Sequence, residues 1–288
     1  MLATIRGISA GPMLKENKPV HFLVNNRLPN TERKKIVLIG GMGTIGKILE
    51  RAFAHSYEVS VIDIIEQPVE TKNKNYTVAD VTNVDDLMTA IPADAAALVN
   101  LCALPAQPPM PDKKGILLSS SVYVVGAYNV LLAAANKGIR KVVLASTNHV
   151  TGAYEAGGQS SLGRQIRATD YPLPDSAYGA MKLCAELFGY LFYKNNDISI
   201  ICLRIGTVAE SEVSLLRSDE RACRTLMSKR DTVEIFRKAL ETQIKYGVYY
   251  AVSDNPGNPW DLSKAIHELG FRPQTNSQEL LKEKNKRK

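Results

Sequence analysis

The chain has few of the residues that would staple it or hold it on a metal. Its four cysteines, Cys102, Cys184, Cys202 and Cys223, form no CxxC pair, and the four histidines stand at no ligand spacing from them. That pattern argues against a disulfide scaffold or a zinc knuckle and for a reducing compartment. Long hydrophobic runs are missing too. The stretch from Ala93 to Ala106 is interrupted by Asp94, Asn100 and Pro105, which is too short and too broken to span a bilayer. No internal repeat or low-complexity tract is present. The folded body also lacks a charge excess of one sign. Residues 1–35 carry +5 and residues 280–288 carry +4 of the net +7, leaving about −2 between them. A nucleic-acid reader would carry its basic patch on the body, so neither nucleic acid nor membrane is expected as a partner.

What remains is ordinary globular material: 288 residues, 45% hydrophobic and 23% charged, enough for one large domain with a buried core. The opening MLATIRGIS is basic and free of acid, as transit peptides are, but no cleavage signal follows. Residues 1–35 are therefore expected to be an extension. Apolar runs of strand length (IVLIG, EVSVIDI, AALVNLCA, KVVLAS, ISIICLRIG) then alternate with helical spacing over VDDLMTAI, residues 122–137 and residues 177–193. That alternation predicts an α/β fold built on a doubly wound parallel sheet. It weakens after Thr207, where residues 232–240 and 262–269 read as helices around GVYYAV. The division expected is a dinucleotide-binding domain over 36–205, substrate-binding cap elements over 206–279 and a basic tail over 280–288.

Gly40, Gly43 and Gly46 form G-x-x-G-x-x-G between the strand IVLIG and the helix-spaced KILERAFA. Such glycines serve a tight turn, close approach of backbone to a pyrophosphate, and helix–strand contact. The helix N-terminus adds free N–H groups and a positive dipole end. The second strand ends in Asp63, 20 residues after Gly43, where a carboxylate accepts from both ribose hydroxyls. No Arg or Lys follows in Ile64-Ile65-Glu66 to meet a 2′-phosphate, so the cofactor expected is NAD rather than NADP. Further on, SAYGAMK holds Tyr178 and Lys182 as Y-x-x-x-K, one helical turn apart. A neighbouring ammonium is expected to lower the phenol pKa and make Tyr178 a base. The strand before this helix ends in Ser146-Thr147-Asn148-His149, whose hydroxyls could hold a substrate oxygen.

With these motifs the chain resembles the extended short-chain dehydrogenase/reductase (NAD-dependent epimerase/dehydratase) family. Within that family it is most similar to uronate dehydrogenases, through GAYNVLLAAANKGIRKVVLASTNHVTGAY, PDSAYGAMKLCAELFGYLF, LRIG and NPWDLS. The resemblance implies a Rossmann-type domain with a small C-terminal cap and NAD-dependent oxidation of the C1 hydroxyl of a hexuronate to an aldarolactone, with no metal. It implies Thr147, Tyr178 and Lys182 as the catalytic set. The cofactor contacts implied are Gly40, Gly43, Thr44, Ile45, Gly46, Asp63, Asp80, Val81, Leu101 and Lys182. On the substrate side it implies Thr147, Asn148, Tyr178 and Thr207, with Arg221 on the carboxylate. His149 reads as a structural histidine. Pro105 and Tyr123 depart from the pattern, at positions where those enzymes place a substrate hydroxyl and a relay asparagine. A cytoplasmic homodimer acting on a small sugar acid is the expectation. A sugar-phosphate dehydrogenase, a sugar-nucleotide epimerase and a non-catalytic NAD-binding regulator stand as alternatives on the same scaffold.

Overall fold

The computed structural model describes residues 33–66, 75–106 and 108–285. Most of the N-terminal extension, including the transit-like opening, lies outside the described residues. Strand β1 (Lys35–Ile39) is followed by α1 (Thr44–Phe53), β2 (Glu58–Asp63), β3 (Tyr76–Val78), α2 (Val84–Ala90) and β4 (Ala95–Asn100). The extension ends one residue earlier than the sequence suggests, because Lys35 opens β1 and pairs with Glu58 and Asp94. Next come α3 (Lys113–Ser120), a π-helical stretch (Ser121–Val125), α4 (Gly126–Asn136) and β5 (Lys141–Thr147). A 3-10 segment (Asn148–Tyr154) leads into a small hairpin of β6 (Glu155–Ala156) and β7 (Gln159–Ser160). The chain ends with α5 (Ala177–Asn196), β8 (Ser199–Ile205), α6 (Glu212–Ser218), α7 (Ala222–Thr225), α8 (Lys229–Glu241), β9 (Tyr246–Ala251) and α9 (Ser277–Asn285).

The main sheet has seven strands in the order β3-β2-β1-β4-β5-β8-β9, every pairing parallel. Order reverses between β1 and β4, and at such a switch point the loops leaving the two strands diverge and open a crevice. The sheet is buried on both faces, and the period of two along β1 shows how. Ile36 and Leu38 enter one apolar layer with Leu49, Phe53, Ile235 and Phe236, while Val37 and Ile39 enter the other with Leu87, Val130 and Leu131.

Three expectations change. GVYYAV is not part of a cap, since it forms β9 and extends the main sheet beside β8. The helix expected over 122–137 begins at Lys113, where Asp112 caps it by accepting from the Gly115 N–H. By length and composition Lys113–Asn136 could cross a membrane, but its Val130, Leu131, Ala133 and Ala134 lie in the core against the sheet. The basic tail is not free from residue 280 onward. Leu280 and Leu281 belong to α9 and rest against Leu216, Ala222 and Leu226.

Candidate active site

The crevice at the switch point is a cavity of about 570 Å³ lined by the turn after β1, the end of β2, residues 79–82, residues 101–105 and the start of the π-helical stretch. Gly40 takes a φ of +78°, and a Cβ there would stand 2.7 Å from the Cys102 nitrogen, so the turn requires glycine. At Gly43 a Cβ would meet nothing nearer than the Gly40 oxygen at 3.6 Å, so that position faces the open crevice. Gly46 sits against the Gly41 backbone and brings α1 close to its strand. Gly43 caps α1 without a side chain, which leaves the first N–H groups, those of Thr44, Ile45 and Gly46, without intrahelical partners.

Asp63 ends β2 at the rim of the crevice. Its Oδ2 accepts the Met42 N–H at 2.9 Å and its Oδ1 the Ile65 N–H at 3.2 Å. Each oxygen keeps a further lone pair for a hydroxyl. Asp80, Val81 and Leu101 line the same cavity. Asp80 holds its loop through the Thr82 N–H and hydroxyl, each at 2.8 Å. Asn129 fixes Val81 and Thr82 by donating to both carbonyls. The glycine turn, the bare helix end and a carboxylate with no neighbouring cation among the described residues fit a dinucleotide whose ribose carries no 2′-phosphate. NAD is accordingly expected to bind at least about tenfold tighter than NADP, about 1.4 kcal/mol. In titrations, Asp63→Asn with Ile64→Arg should narrow or reverse the preference, and equal affinities in the parent protein would contradict the role of Asp63.

A second cavity, about 320 Å³, shares Ala103, Leu104 and Pro105 with the first and is lined by Tyr123, His149, Asp175, Tyr178 and Met181. The elements around it explain its contents. Ser176 caps α5 by accepting from the Gly179 N–H, so Tyr178 stands in the first turn and Lys182 one turn on. Thr147 ends β5, is buried, and donates its hydroxyl to Asn148 Oδ1 at 3.3 Å. Tyr123 lies in the π-helical stretch, a rare geometry found mostly at functional sites. Its hydroxyl accepts the Leu104 N–H at 2.7 Å and its ring meets Tyr178 edge to face at 5.1 Å. His149 and Asp175 form a hydrogen-bonded pair beside Tyr178, with Nδ1 to Oδ2 at 2.9 Å.

The expected effect of Lys182 on Tyr178 is not realised. The Lys182 ammonium donates to the carbonyls of Cys102 at 3.1 Å and Ala145 at 2.9 Å, and stands 5.9 Å from the Tyr178 ring centre. Burial dominates instead. It pushes the Tyr178 phenol up to about 12, with Tyr123 adding and the Thr147 side chain opposing. It also pulls Lys182 down to about 8. The sign for stability follows from linkage. Between about pH 8 and the ordinary lysine value of 10.5, the unfolded chain binds the extra proton, so this residue's contribution to stability rises with pH. The difference in unfolding free energy between the parent and Lys182→Met is expected to move in the parent's favour from about pH 7.5 to pH 10. Urea titrations at the two pH values check it, and an opposite slope would refute the assignment.

Four of the expected substrate residues, Thr147, Asn148, Thr207 and Arg221, are absent from the lining of the second cavity. Asn148 is buried behind it, and its Nδ2 has no hydrogen-bond partner among the described residues. Thr207 bonds the Thr225 hydroxyl at 2.9 Å. Arg221 does not line the cavity, because its fork is taken by Glu155. Nε lies 3.1 Å from both carboxylate oxygens and Nη2 lies 2.6 Å from Oε2. Sequence reasoning missed Glu155 and Asp175 as partners, since neither lies near its mate in the chain. Ile64 and Ile65, exposed at the rim of the crevice, were legible only as a lack of basic residues.

A parallel sheet with a glycine turn at its switch point, and a Tyr–Lys pair beside that crevice, defines a dinucleotide-binding protein of the short-chain dehydrogenase/reductase kind. Residues 36–227 match the NAD dependent epimerase/dehydratase family, and the chain belongs to it, with NAD as cofactor. It is 44% identical over 250 residues to the uncharacterized protein YtbQ of Bacillus subtilis (strain 168), covering 87% of this chain and 98% of that one. It is 26% identical to an NAD-dependent glucose-6-phosphate dehydrogenase of Haloferax volcanii, over 85% of this chain and 95% of the other. A solved mutated uronate dehydrogenase superposes with a TM-score of 0.74 at 24% identity, covering 88% of this chain and 86% of that chain, a likeness of fold.

Proposed function

We propose that the protein is an NAD-dependent sugar dehydrogenase that oxidises the anomeric C1 hydroxyl of its substrate to a lactone. The observation that carries this reading is Tyr178 in the lining of the smaller cavity, which shares Ala103, Leu104 and Pro105 with the dinucleotide crevice, with the Lys182 ammonium 5.9 Å from the ring centre. In this mechanism Thr147 fixes the reacting oxygen while Tyr178 takes its proton. Lys182, anchored by two carbonyls, holds its charge beside the rings of Tyr123 and Tyr178 and binds the nicotinamide ribose. NAD, when bound, accepts the hydride from C1. In this reading the buried Asn148 Nδ2, a donor without a partner among the described residues, is the candidate contact for a substrate oxygen. The relatives with dehydrogenase names support the reaction class.

The finer expectation, a hexuronate oxidised to an aldarolactone, rests on Thr207 and Arg221, and Arg221 is already engaged by Glu155. Incubating the protein with NAD and a panel of aldoses, uronates and sugar phosphates tests the reaction class. Net NADH with an aldonate or aldarate product is the expected result. A new sugar epimer with no net change in nicotinamide absorbance would make the protein an epimerase instead.

The same reading includes a homodimer in the cytoplasm, a setting that suits four free thiols. Leu187 and Leu191, 56% and 52% exposed on α5, stand with exposed Val125 and Tyr128 of the neighbouring helical stretch. An apolar face of this kind marks an interaction surface. Light scattering should give twice the chain mass for the parent and the monomer mass for Leu187→Glu/Leu191→Glu. A monomeric parent would remove the dimer.

A further inference from the structure

Loops leaving the carboxyl ends of β5 and β8, paired neighbours with Thr147 in register with Ile205, are clasped together by one ion pair. Glu155 ends the 3-10 segment that begins at Asn148, and Arg221 immediately precedes α7, whose Thr225 bonds Thr207. The Glu155 side chain is 5% exposed, and its Oε1 also accepts the Gly158 N–H at 2.6 Å. The Nε–Nη2 edge of Arg221 is thus closed to an anionic ligand unless it displaces an internal carboxylate that is already desolvated and bidentate.

The smaller cavity offers an anion no substitute. Among the described residues its lining holds no lysine or arginine, and its ionisable groups are Tyr123, Tyr178, His149 and Asp175. Asp175 accepts from the Ser176 hydroxyl at 2.9 Å and from His149 Nδ1. A carboxylate only accepts, so Nδ1 carries a proton, and Nε2 is the ring nitrogen left to meet a sugar hydroxyl.

We infer that the sugar is an uncharged aldose, that Glu155 sets this preference by filling the Arg221 fork, and that His149, held by Asp175, receives one sugar hydroxyl. The inference rests on the dehydrogenase reading above.

The test measures kcat/KM with NAD for D-galactose, D-glucose, L-arabinose, D-galacturonate, D-glucuronate and glucose 6-phosphate, and the binding of the same sugars to the NADH complex by calorimetry. At least one neutral aldose is expected to exceed every charged sugar by about tenfold or more. Glu155→Gln should raise the ratio of uronate to aldose by about tenfold or more, since the amide no longer neutralises the fork. His149→Leu should raise KM for the aldose more than it lowers kcat. Preference of the parent protein for an acid or a phosphate would overturn the inference and leave the dehydrogenase reading intact. A ratio unmoved by Glu155→Gln would also overturn it. If Glu155→Gln does not fold, the comparison among sugars in the parent protein still decides. If neutral sugars bind in preference to charged ones but reduce no NAD, the specificity stands and the dehydrogenase reading falls.

Discussion

Tyr178→Phe is expected to lower kcat on a confirmed sugar by about 10² to 10⁴ while leaving NAD affinity within about twofold. The phenyl ring keeps the edge-to-face contacts with Tyr123 and His149, so the cavity wall survives. What disappears is the phenol oxygen, which in its proton-free form receives the proton. Burial holds this phenol high, up to about 12, so kcat/KM should rise with pH through the neutral range as the proton-free form becomes accessible. Stopped-flow rates and a fluorescence titration of NAD separate the two effects. Normal turnover by the Phe variant would remove Tyr178 as the base.

The largest effect on stability is expected at Arg204. Its Nε lies 3.0 Å from Glu186 Oε1 and its Nη2 lies 2.8 Å from Oε2, with side chains 4% and 3% exposed. Glu186 also accepts the Ser146 hydroxyl at 2.5 Å, and the guanidinium lies over the Tyr250 ring, whose hydroxyl bonds Thr151. Arg204→Met leaves Glu186 buried and uncompensated, which should cost roughly 3–5 kcal/mol. Replacing both partners, Glu186→Leu with Arg204→Met, removes the stranded charge and should recover most of that loss. Denaturant unfolding of the three proteins checks this, and near-equal stabilities for the single and double variants would contradict it. Because Ser146 precedes Thr147, the double variant should still turn over more slowly than the parent despite its recovered stability.

Much of the site's cofactor half was legible because its signals are local. IVLIG, the three glycines and Asp63 lie within one β-α-β unit, and short-range geometry dictates each role. Tyr178 and Lys182 were legible for the same reason, being one helical turn apart. The short strand β3 carried no such signal. The start of α3 was hidden as well, because Pro108, Pro109 and Pro111 stand just before it and its apolar residues show little helical periodicity. The tail read as solvated from its charge, yet Leu280 and Leu281 were enough to hold α9 against the body. The substrate half depends on distant partners. Arg221 meets Glu155 across 66 residues and His149 meets Asp175 across 26, and no spacing rule reaches that far. The phenol pKa differs from expectation because burial outweighs Lys182, whose ammonium, 5.9 Å from the ring centre, donates to two backbone carbonyls.

The central claim is that a hydride leaves the anomeric carbon while Tyr178 takes the hydroxyl proton. An aldose carrying deuterium only at C1, supplied with NAD, tests this directly. The account predicts that the deuterium appears at C4 of the nicotinamide in NADH, and that the rate of the chemical step falls by the severalfold ratio of a primary isotope effect. Unlabelled NADH from that sugar, or NADH labelled only when the deuterium is placed at another carbon, would contradict it.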